Sequence, residues 1–412
     1  MADMSPAGSS APVHTSTPWQ RAATGANLLA PDGKLGVTIF EEMTTLAMST
    51  GAINLGQGFP DEDGPAEMKA AAQAAIAEGA NQYAPGKGIP QLREAVAHHQ
   101  ERFYGLAPDP LTEVVITTGA TEAIAASLLA FVQPGDEVLT FEPFYDSYGA
   151  IIGLAGATHV TAPLLAPDFQ PDLDALERAF SHRTRVVLLN NPHNPMGSVL
   201  TREALAKVVE LATKYDAIIV SDEVYEHLTF GVAHLPVATL PGAAERTITI
   251  SSAGKTFSFT GWKIGWLSGP AELVAAARTV KQFLSYSSGT PFQSAVAVGL
   301  ALPDSFYAEI AGTLQHKRDI LAEGLRAAGF GVYIPSGTYF INVDTAPLGI
   351  SDAVDLARRL PDLVGVAAIP VPVFCHQEGA ERTRSLLRFA FCKKTEVLQE
   401  AASRLATLKD RL

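Results

Sequence analysis

The sequence has few cysteines, no surplus of positive charge and no long apolar run. Only Cys375 and Cys392 occur among its 412 residues, too few for a disulfide framework and without the spacing of a zinc site. This cysteine usage is typical of a reduced compartment, so we expect a cytoplasmic protein without a metal site. Acidic residues outnumber basic ones by 43 to 30, and the formal net charge of −13 argues against nucleic acid as a partner.

Membrane association is not expected either. No apolar stretch approaches the roughly 18 residues of a membrane helix, and the N-terminus lacks the basic-then-apolar order of a signal peptide. Hydrophobic residues make up 47% of the chain and charged residues 18%, which is an ordinary globular balance. A chain of 412 residues is long enough for two or more domains.

The composition changes along the chain and predicts its domain organisation. Residues 1–33 are rich in Ala, Ser, Thr, Pro and Gly without a sustained period, which predicts a flexible tail. Residues 34–60, with a short amphipathic helix at 40–48, are predicted to join a small C-terminal domain at 301–412. Residues 61–300 are predicted to form the large domain.

Helices and strands alternate through the predicted large domain. The predicted helices are 65–78, 91–104, 121–132, 173–179, 202–214, 272–284 and 292–302. The predicted strands are 113–117, 137–142, 157–164, 184–190, 217–222 and 247–250. Strands that are apolar on both faces and alternate with helices predict an α/β fold with a mainly parallel, doubly covered sheet. Helices 305–328, 353–360 and 396–408 and strands 339–343 and 386–391 predict a smaller α+β domain.

A lysine follows the last predicted strand of the large domain. Lys255 lies in the stretch 245–269, ERTITISSAGKTFSFTGWKIGWLSG, in what the small residues predict to be a loop with little side-chain cover. An amine held there is available to a reactive carbonyl, although a solvated loop lysine has the same pattern. A phosphate-binding P-loop is excluded because Thr249 stands where that motif requires its first glycine.

Two further strand ends carry groups suited to a flat, phosphorylated ligand. Gly119, Ala120 and Thr121 lie between a strand and an apolar helix, where free amides and a hydroxyl can bind phosphate. Capping of the helix by Thr121 is the alternative. Tyr145 follows strand 137–142 and can either stack on a ring or pack in the core.

Four other polar side chains have both a structural and a functional interpretation. Asn194 lies in a proline-stiffened turn, which is also common turn chemistry. Asp222 ends an apolar strand and must be paired, either with a cationic ring nitrogen or with backbone or an arginine. Arg388, within LLRFAFC, requires a carboxylate from a substrate or from an internal salt bridge. Lys263 can neutralise a phosphate or can be a solvated lysine.

Together these groups supply what pyridoxal 5′-phosphate (PLP) requires of its protein: a phosphate site, a stacking ring, a pyridinium partner, a lysine and a carboxylate clamp. The motifs NLGQGFP, NQY, TGATEA, EPFYDSY, NNPHNPMG, SDEVYE, SSAGKTFSFTGWKIGW and LLRFAF, in this order, resemble class I aminotransferases of PLP fold type I. From about residue 35 onward the sequence is most similar to the kynurenine aminotransferase/glutamine transaminase K branch and to bacterial N-succinyldiaminopimelate aminotransferases.

The resemblance implies a fold and a set of site residues. The fold is a mainly parallel sheet of the seven-stranded type plus a smaller α+β domain, in a homodimer that shares its active sites. Lys255 is implied to bind PLP covalently and to move the substrate proton, Asp222 to pair with the ring nitrogen, and Tyr225 to contact the ring oxygen with Asn194. The other implied contacts are with the phosphate (Gly119, Ala120, Thr121, Ser252, Lys263 and Tyr83 of the partner subunit), the ring faces (Tyr145 and Val224) and the substrate (Arg388, Asn194, Gly58, Phe40 and Tyr286).

The implied activity is transfer of an amino group from an L-amino acid to a 2-oxo acid in two stages. The expected donors are kynurenine, glutamine, methionine or N-succinyl-diaminopimelate. Phe40 replaces the tryptophan of the animal kynurenine enzymes, which argues against kynurenine, and Lys263 replaces an arginine of many relatives. A PLP-dependent carbon–sulfur β-lyase acting on cysteine conjugates is the alternative. A non-catalytic PLP-binding regulator is disfavoured because residues 1–33 are too short and too weakly basic to bind DNA.

Overall fold

The computed structural model describes residues 16–30 and 32–412. Its helices are α1 (Pro18–Gly25), α2 (Ile39–Thr50), α3 (Ala66–Ala77), α4 (Pro90–Tyr104), α5 (Gly119–Phe131), α6 (Asp146–Ala155), α7 (Leu173–Ala179), α8 (Arg202–Lys214), α9 (Ala253–Thr256), α10 (Ala271–Leu284), α11 (Thr290–Leu300), α12 (Asp304–Ala327), α13 (Ala353–Val364), α14 (Gln377–Arg382) and α15 (Thr395–Leu405). Its strands are β1 (Ile53–Asn54), β2 (Val114–Thr117), β3 (Glu137–Glu142), β4 (Thr158–Leu165), β5 (Gln170–Pro171), β6 (Thr184–Asn190), β7 (Ile218–Asp222), β8 (Thr247–Ser252), β9 (Gly265–Ser268), β10 (Gly331–Tyr333), β11 (Phe340–Asp344), β12 (Val366–Ala367), β13 (Ile369–Pro370) and β14 (Leu386–Ala390).

The large sheet has the strand order β2-β9-β8-β7-β6-β3-β4-β5. Strands β4, β3, β6, β7 and β8 pair in parallel, whereas β9 runs antiparallel to both β8 and β2. Strand β2 therefore points in the same direction as the parallel strands. This confirms the predicted α/β fold and its mainly parallel sheet, to which β5 adds an antiparallel edge strand of two residues.

The sheet is buried on both faces because successive residues of its central strands are apolar. Leu139, Val187 and Ile219 point into one core, and their neighbours Val138 and Val220 point into the other. Helices cover both faces, as the near-continuous apolar runs of these strands predict. The polar residues that end the strands therefore meet at one edge of the sheet.

The C-terminal part of the chain forms a second, four-stranded antiparallel sheet in the order β10-β11-β14-β13. Its core includes Leu321, Leu360 and Phe389, and also Met43 of α2 and Leu55. Strand β1 pairs in parallel with β12. The N-terminal segment thus packs with this small domain, although the predicted domain boundaries at 33, 60 and 300 remain predictions.

The prediction of a flexible tail over 1–33 is wrong for residues 18–25, which form α1; residues 1–15 lie outside the described part of the chain. Helix α1 begins at a capping box between Thr17 and Gln20. Of its residues Ala23 is buried, and its contact with α6 runs through backbone atoms of both helices. Helix α6 was not predicted either, and its two glycines lower its helix propensity.

Glycines allow α1 and α6 to approach closely. A Cβ at Gly149 would overlap the carbonyl oxygen of Gly25, and a Cβ at Gly153 would overlap that of Arg21. The Arg21 Nε also donates a hydrogen bond of 3.1 Å to the carbonyl oxygen of Gly153.

No helix among residues 16–30 and 32–412 is both long and apolar enough to cross a membrane.

We expect Gly149→Ala to destabilise the protein, because the added methyl group forces α1 away from α6. Overpacking costs about 1–3 kcal/mol, of which the better helix propensity of alanine recovers at most about 1 kcal/mol. Gly312→Ala in α12 is the matched control, since a Cβ at this helical position contacts nothing. Chemical denaturation and limited proteolysis of residues 16–30 measure the effect. Equal stability of the two variants would contradict the contact.

Candidate active site

A cavity of about 430 Å³ lies at the edge of the large sheet where its parallel strands end. Most residues predicted for the site line it. These are Phe40, Gly58, Gly119, Ala120, Thr121, Tyr145, Asn194, Asp222, Val224, Tyr225, Ser252, Lys255, Lys263 and Arg388. The fold therefore brings together side chains that are up to 348 residues apart in the sequence, between Phe40 and Arg388.

Lys255 is on the short helix α9 directly after β8, so the prediction of an open loop is wrong. The strand extends to Ser252, and the chain then turns helically beneath the rings of Tyr225 and Tyr339. The Lys255 Nζ lies 5.7 and 5.6 Å from the centroids of these rings and donates a hydrogen bond of 3.0 Å to the Tyr339 hydroxyl. Burial lowers the pKa of Lys255 below its ordinary value, which favours a nucleophilic amine.

Asp222 ends β7 in a buried position. Its Oδ2 accepts a hydrogen bond of 2.6 Å from the Tyr148 hydroxyl, and its Oδ1 accepts one of 3.3 Å from the backbone amide of Val224. Burial raises the pKa of Asp222 to about 6, whereas these hydrogen bonds and the positive charge of Lys255 lower it. The carboxylate is paired with a phenol and a backbone amide, so the arginine considered in the sequence is not its partner.

Arg388 lies on β14 and is only 2% exposed. Its Nη1 donates to the Asn194 side-chain oxygen and its Nη2 to the carbonyl oxygen of Gly56, both at 3.0 Å. The guanidinium lies 4.1 Å from the centroid of the Phe340 ring, and Nε has no hydrogen-bond partner in the described part of the chain. Burial lowers the pKa of Arg388 to about 10.

None of the three cations of the cavity has an acidic partner. The ion pairs within residues 16–30 and 32–412 do not include Lys255, Lys263 or Arg388. An internal salt bridge, the structural alternative for Arg388, is therefore absent from this part of the chain. A buried charge without a counter-ion is costly, which points to an anionic ligand at Arg388, whereas Lys255 is half-buried and Lys263 is exposed.

The phosphate site predicted at the start of α5 contains a glycine in the left-handed region. Gly119 has φ +74°, and a Cβ built on it would lie 3.3 Å from the Lys263 Nζ. Lys263 itself has φ +55°, which brings its ammonium group to this helix N-terminus. The N-cap residue is Thr118 without a side-chain capping bond, so Thr121 does not cap the helix and its hydroxyl is available.

An aromatic ring and an amide complete the walls beside Asp222. Tyr145 is the N-cap of α6, and burial raises the pKa of its phenol to about 12. The Asn194 backbone amide donates a hydrogen bond of 2.6 Å to the side chain of Asn190, whose Nδ2 donates to the carbonyl oxygen of Asp222 at 2.8 Å. Asn190 therefore connects the two strand ends that carry Asn194 and Asp222.

Two predicted residues lie outside this cavity. Tyr83 is 83% exposed, and its ring lies 5.6 Å from that of Tyr286. Tyr286, which we expected to form an aromatic wall of the pocket, lines no part of the cavity of the single chain. Both roles were inferred from a family in which subunits share active sites.

The sequence did not identify three side chains at the site. The side chains of Tyr148 and Asn190 both donate hydrogen bonds to Asp222. The Tyr339 hydroxyl donates to the carbonyl oxygen of Gly58, another predicted residue, at 2.5 Å. The only signal for the tyrosines was chemical, because a buried phenol requires a hydrogen-bond partner.

The residues of the cavity fit PLP. A lysine amine with no carboxylate partner, a buried carboxylate and an arginine with a free Nε face the same space. Gly119 leaves room beside the Lys263 ammonium, where a side chain would otherwise stand. These groups match the aldehyde, ring nitrogen and phosphate of the coenzyme and the carboxylate of an amino acid.

Comparison with known proteins agrees with this geometry. The family model "Aminotransferase class I and II" matches residues 50–405. The chain is 51% identical to the probable N-succinyldiaminopimelate aminotransferase DapC of Mycobacterium tuberculosis, over 91% of this chain and 96% of the relative. It is 40% identical to the methionine aminotransferase of Escherichia coli, over 93% and 99% of the two chains. The three-dimensional structure of the M. tuberculosis N-succinyldiaminopimelate aminotransferase superposes with a TM-score of 0.88 at 52% identity, covering 90% of this chain and 97% of that chain.

These relatives are named as aminotransferases, so they give no support to a β-lyase or to a non-catalytic regulator. They confirm the resemblance, and with it an aminotransferase activity and PLP as the coenzyme. The chain belongs to the class I and II aminotransferases.

Proposed function

We propose that the cavity around Lys255 transfers an amino group from an L-amino acid to a 2-oxo acid in two stages. The observation that carries this proposal is that Lys255 and Arg388 face one cavity with Asp222 and lack acidic partners. An amine for the coenzyme and a cation for a carboxylate are thus held ready at fixed positions. The same coenzyme site then serves the donor and the acceptor in turn.

When bound, PLP supplies an aldehyde carbon for attachment and a ring that accepts electrons from the substrate. The residues proposed to hold it are Asp222 at the ring nitrogen, Tyr225 and Asn194 at the ring oxygen, and Tyr145 and Val224 at the ring faces. Gly119, Ala120, Thr121, Ser252 and Lys263 are proposed to hold its phosphate. All of them line the cavity described above.

Lys255 is proposed to move the substrate proton. Its lowered pKa allows the amine to be neutral, and therefore basic, at a pH where a solvated lysine is charged. The Tyr339 hydroxyl accepts a hydrogen bond from Nζ while donating to Gly58, which fixes the direction of the amine. Lys255 can accordingly take the proton from the substrate α-carbon and return it at a neighbouring position.

Arg388 is proposed to bind the substrate α-carboxylate, helped by Asn194 and Gly58. The cations that line the cavity are Lys255, Lys263 and Arg388, and each already has a proposed role. A side-chain carboxylate of the donor therefore finds no further cation among the lining residues that residues 16–30 and 32–412 supply. Phe40, Phe59 and Phe340 offer aromatic surface instead.

We propose a donor with an apolar or extended uncharged side chain, of which methionine is the simplest in the expected range. Glutamine, kynurenine and N-succinyl-diaminopimelate complete that range. The identities of 51% and 40% to enzymes named for N-succinyldiaminopimelate and methionine support its two ends.

We further propose a homodimer in which Tyr83 of the partner subunit reaches the phosphate and that subunit's Tyr286 approaches the substrate. The exposed aromatic pair Tyr83 and Tyr286, together with Phe283 at 86% exposure, supports such an interface. A cytoplasmic location is also proposed. It is supported by two cysteines that are both free and buried.

We expect Lys255→Ala to lose the absorbance band of lysine-bound coenzyme and to reduce turnover by about 10³-fold or more, since it removes both the attachment point and the base. Absorbance spectra and a steady-state transaminase assay measure this. Lys263→Ala is the matched control from the same cavity. It should weaken coenzyme binding yet keep the band, and a normal rate for Lys255→Ala would refute the assignment.

We expect Arg388→Ala to lower kcat/KM for α-amino acids by about 10²-fold or more, because truncating one partner of a buried charge pair costs about 2–5 kcal/mol. A panel of methionine, glutamine, kynurenine and N-succinyl-diaminopimelate with pyruvate and 2-oxoglutarate tests both the clamp and the donor. The loss should be similar for every donor, and the coenzyme should remain bound. Unchanged kinetics would place the carboxylate site elsewhere.

Hybrid dimers test the contribution of Tyr83 across the subunit interface. Lys255→Ala and Tyr83→Ala chains carrying different tags are co-expressed, and the mixed dimer is purified. If Tyr83 acts on the partner's site, one site of the hybrid has both native residues, and activity returns to about half that of the native dimer. If Tyr83 acts within its own chain, neither site of the hybrid has both native residues, and its activity does not exceed half that of the Tyr83→Ala dimer. Size-exclusion chromatography with light scattering verifies the assembly.

A further inference from the structure

A phenol that no predicted role uses lies behind the Asp222 carboxylate. Tyr148 is 2% exposed and donates a hydrogen bond of 2.6 Å to Asp222 Oδ2. It belongs to the first turn of α6, three residues after the N-cap Tyr145. The two rings are 5.6 Å apart and nearly perpendicular, with an interplanar angle of 89°. One helical turn therefore carries a ring of the cavity wall and a donor to the aspartate.

The hydrogen bond from Tyr148 is the strongest that the Asp222 carboxylate receives. The other carboxylate oxygen accepts only a longer bond of 3.3 Å from the Val224 amide. Asn190, although close, donates to the backbone carbonyl of Asp222 and not to its carboxylate. A short hydrogen bond from a hydroxyl to a carboxylate oxygen is charge-assisted and is about twice as strong as a neutral one.

We propose that Tyr148 is a positioning residue that keeps the Asp222 carboxylate ionised and directs its free lone pairs at the coenzyme ring nitrogen. This inference rests on the proposed role of Asp222. It adds that the protonation of the ring is set by a phenol that does not contact the coenzyme.

The physical reason is the balance between burial and hydrogen bonding at Asp222. Burial favours the neutral carboxylic acid and raises its pKa, whereas the Tyr148 hydrogen bond stabilises the anion. Without Tyr148 the proton shared between the carboxylate and the ring nitrogen moves toward the carboxylate. The ring then carries less positive charge and accepts substrate electrons less readily.

Tyr148 is suited to this role because it acts as a donor throughout the working pH range. Burial, the charge of Asp222 and the hydrogen bond between them all raise the pKa of Tyr148 well above its ordinary value. The other groups that act electrostatically on this pair are Lys255, Glu223, Tyr145 and Tyr225. Of these, Lys255 is the one basic side chain, and its Nζ donates a hydrogen bond to the Tyr339 hydroxyl.

The test compares the ring nitrogen of the holoenzyme in three proteins. Native enzyme, Tyr148→Phe and Asp222→Asn are loaded with ¹⁵N-labelled coenzyme, and the nitrogen signal is followed by solid-state NMR as a function of pH. In Tyr148→Phe we expect the chemical shift of the ring nitrogen to move toward the value of the unprotonated ring. Its titration should shift to lower pH by about one unit or more, since a hydrogen bond to a charged group is worth about tenfold or more.

Steady-state kinetics supply a second readout. Tyr148→Phe should lower kcat by about tenfold while leaving KM for the donor nearly unchanged, because Tyr148 does not contact the substrate. Tyr307→Phe is the matched control. Tyr307 is 4% exposed, and its hydroxyl donates to the backbone carbonyl oxygen of Gly299 at 3.2 Å, outside the cavity. This variant should keep the native signal and the native pH profile.

The outcomes separate this inference from the proposed function. If Asp222→Asn moves the nitrogen signal and Tyr148→Phe does not, the inference about Tyr148 is overturned while the coenzyme site stands. If Asp222→Asn leaves the signal unchanged, the role of Asp222 itself fails.

Should Tyr148→Phe not fold, 3-fluorotyrosine at position 148 keeps the shape of the side chain and makes its hydroxyl a stronger hydrogen-bond donor. The signal should then move in the opposite direction, and no movement would again overturn the inference.

Discussion

The cavity depends on keeping charged groups out of water without giving them opposite charges. Arg388 and Asp222 are buried and Lys255 is half-buried; desolvation lowers the pKa of Lys255 and Arg388 and raises that of Asp222. Hydrogen bonds from or to Tyr339, Asn194 and Tyr148 hold each group in place. These neutral partners orient the charged groups but do not neutralise them. The charges are therefore available to the coenzyme and to the amino acid in the proposed function.

Both parts of the fold are required for this arrangement. The parallel strands of the large sheet present Asp222, Asn194 and Lys255 at one edge, because such strands all end on the same side. Arg388 comes from the antiparallel sheet of the small domain, yet it donates to Asn194 of the large domain and to Gly56 of the N-terminal segment. The position of Arg388 in the cavity therefore depends on how the two sheets are held together.

Much of the site could be predicted because a polar residue that ends an apolar strand is conspicuous. Asp222 and Asn194 follow long apolar runs, and Arg388 interrupts one. Tyr148 and Tyr339 could not be separated from core residues, since a tyrosine among apolar neighbours looks the same whether its hydroxyl meets backbone or a catalytic group. The environment of Lys255 was misjudged because small residues suit both a loop and a tight helical turn. Helix α1 lies in a segment rich in small residues, and its contact with α6 runs through glycine backbone, which composition does not reveal.

The contact between α1 and α6 connects the N-terminal helix to the segment that carries Tyr145 and Tyr148. Helix α1 precedes residues 50–405, which the family model matches, yet it presses on Gly149, the residue after Tyr148. A sequence change in this leading helix can tilt α6, and with it both the ring of Tyr145 and the donor to Asp222.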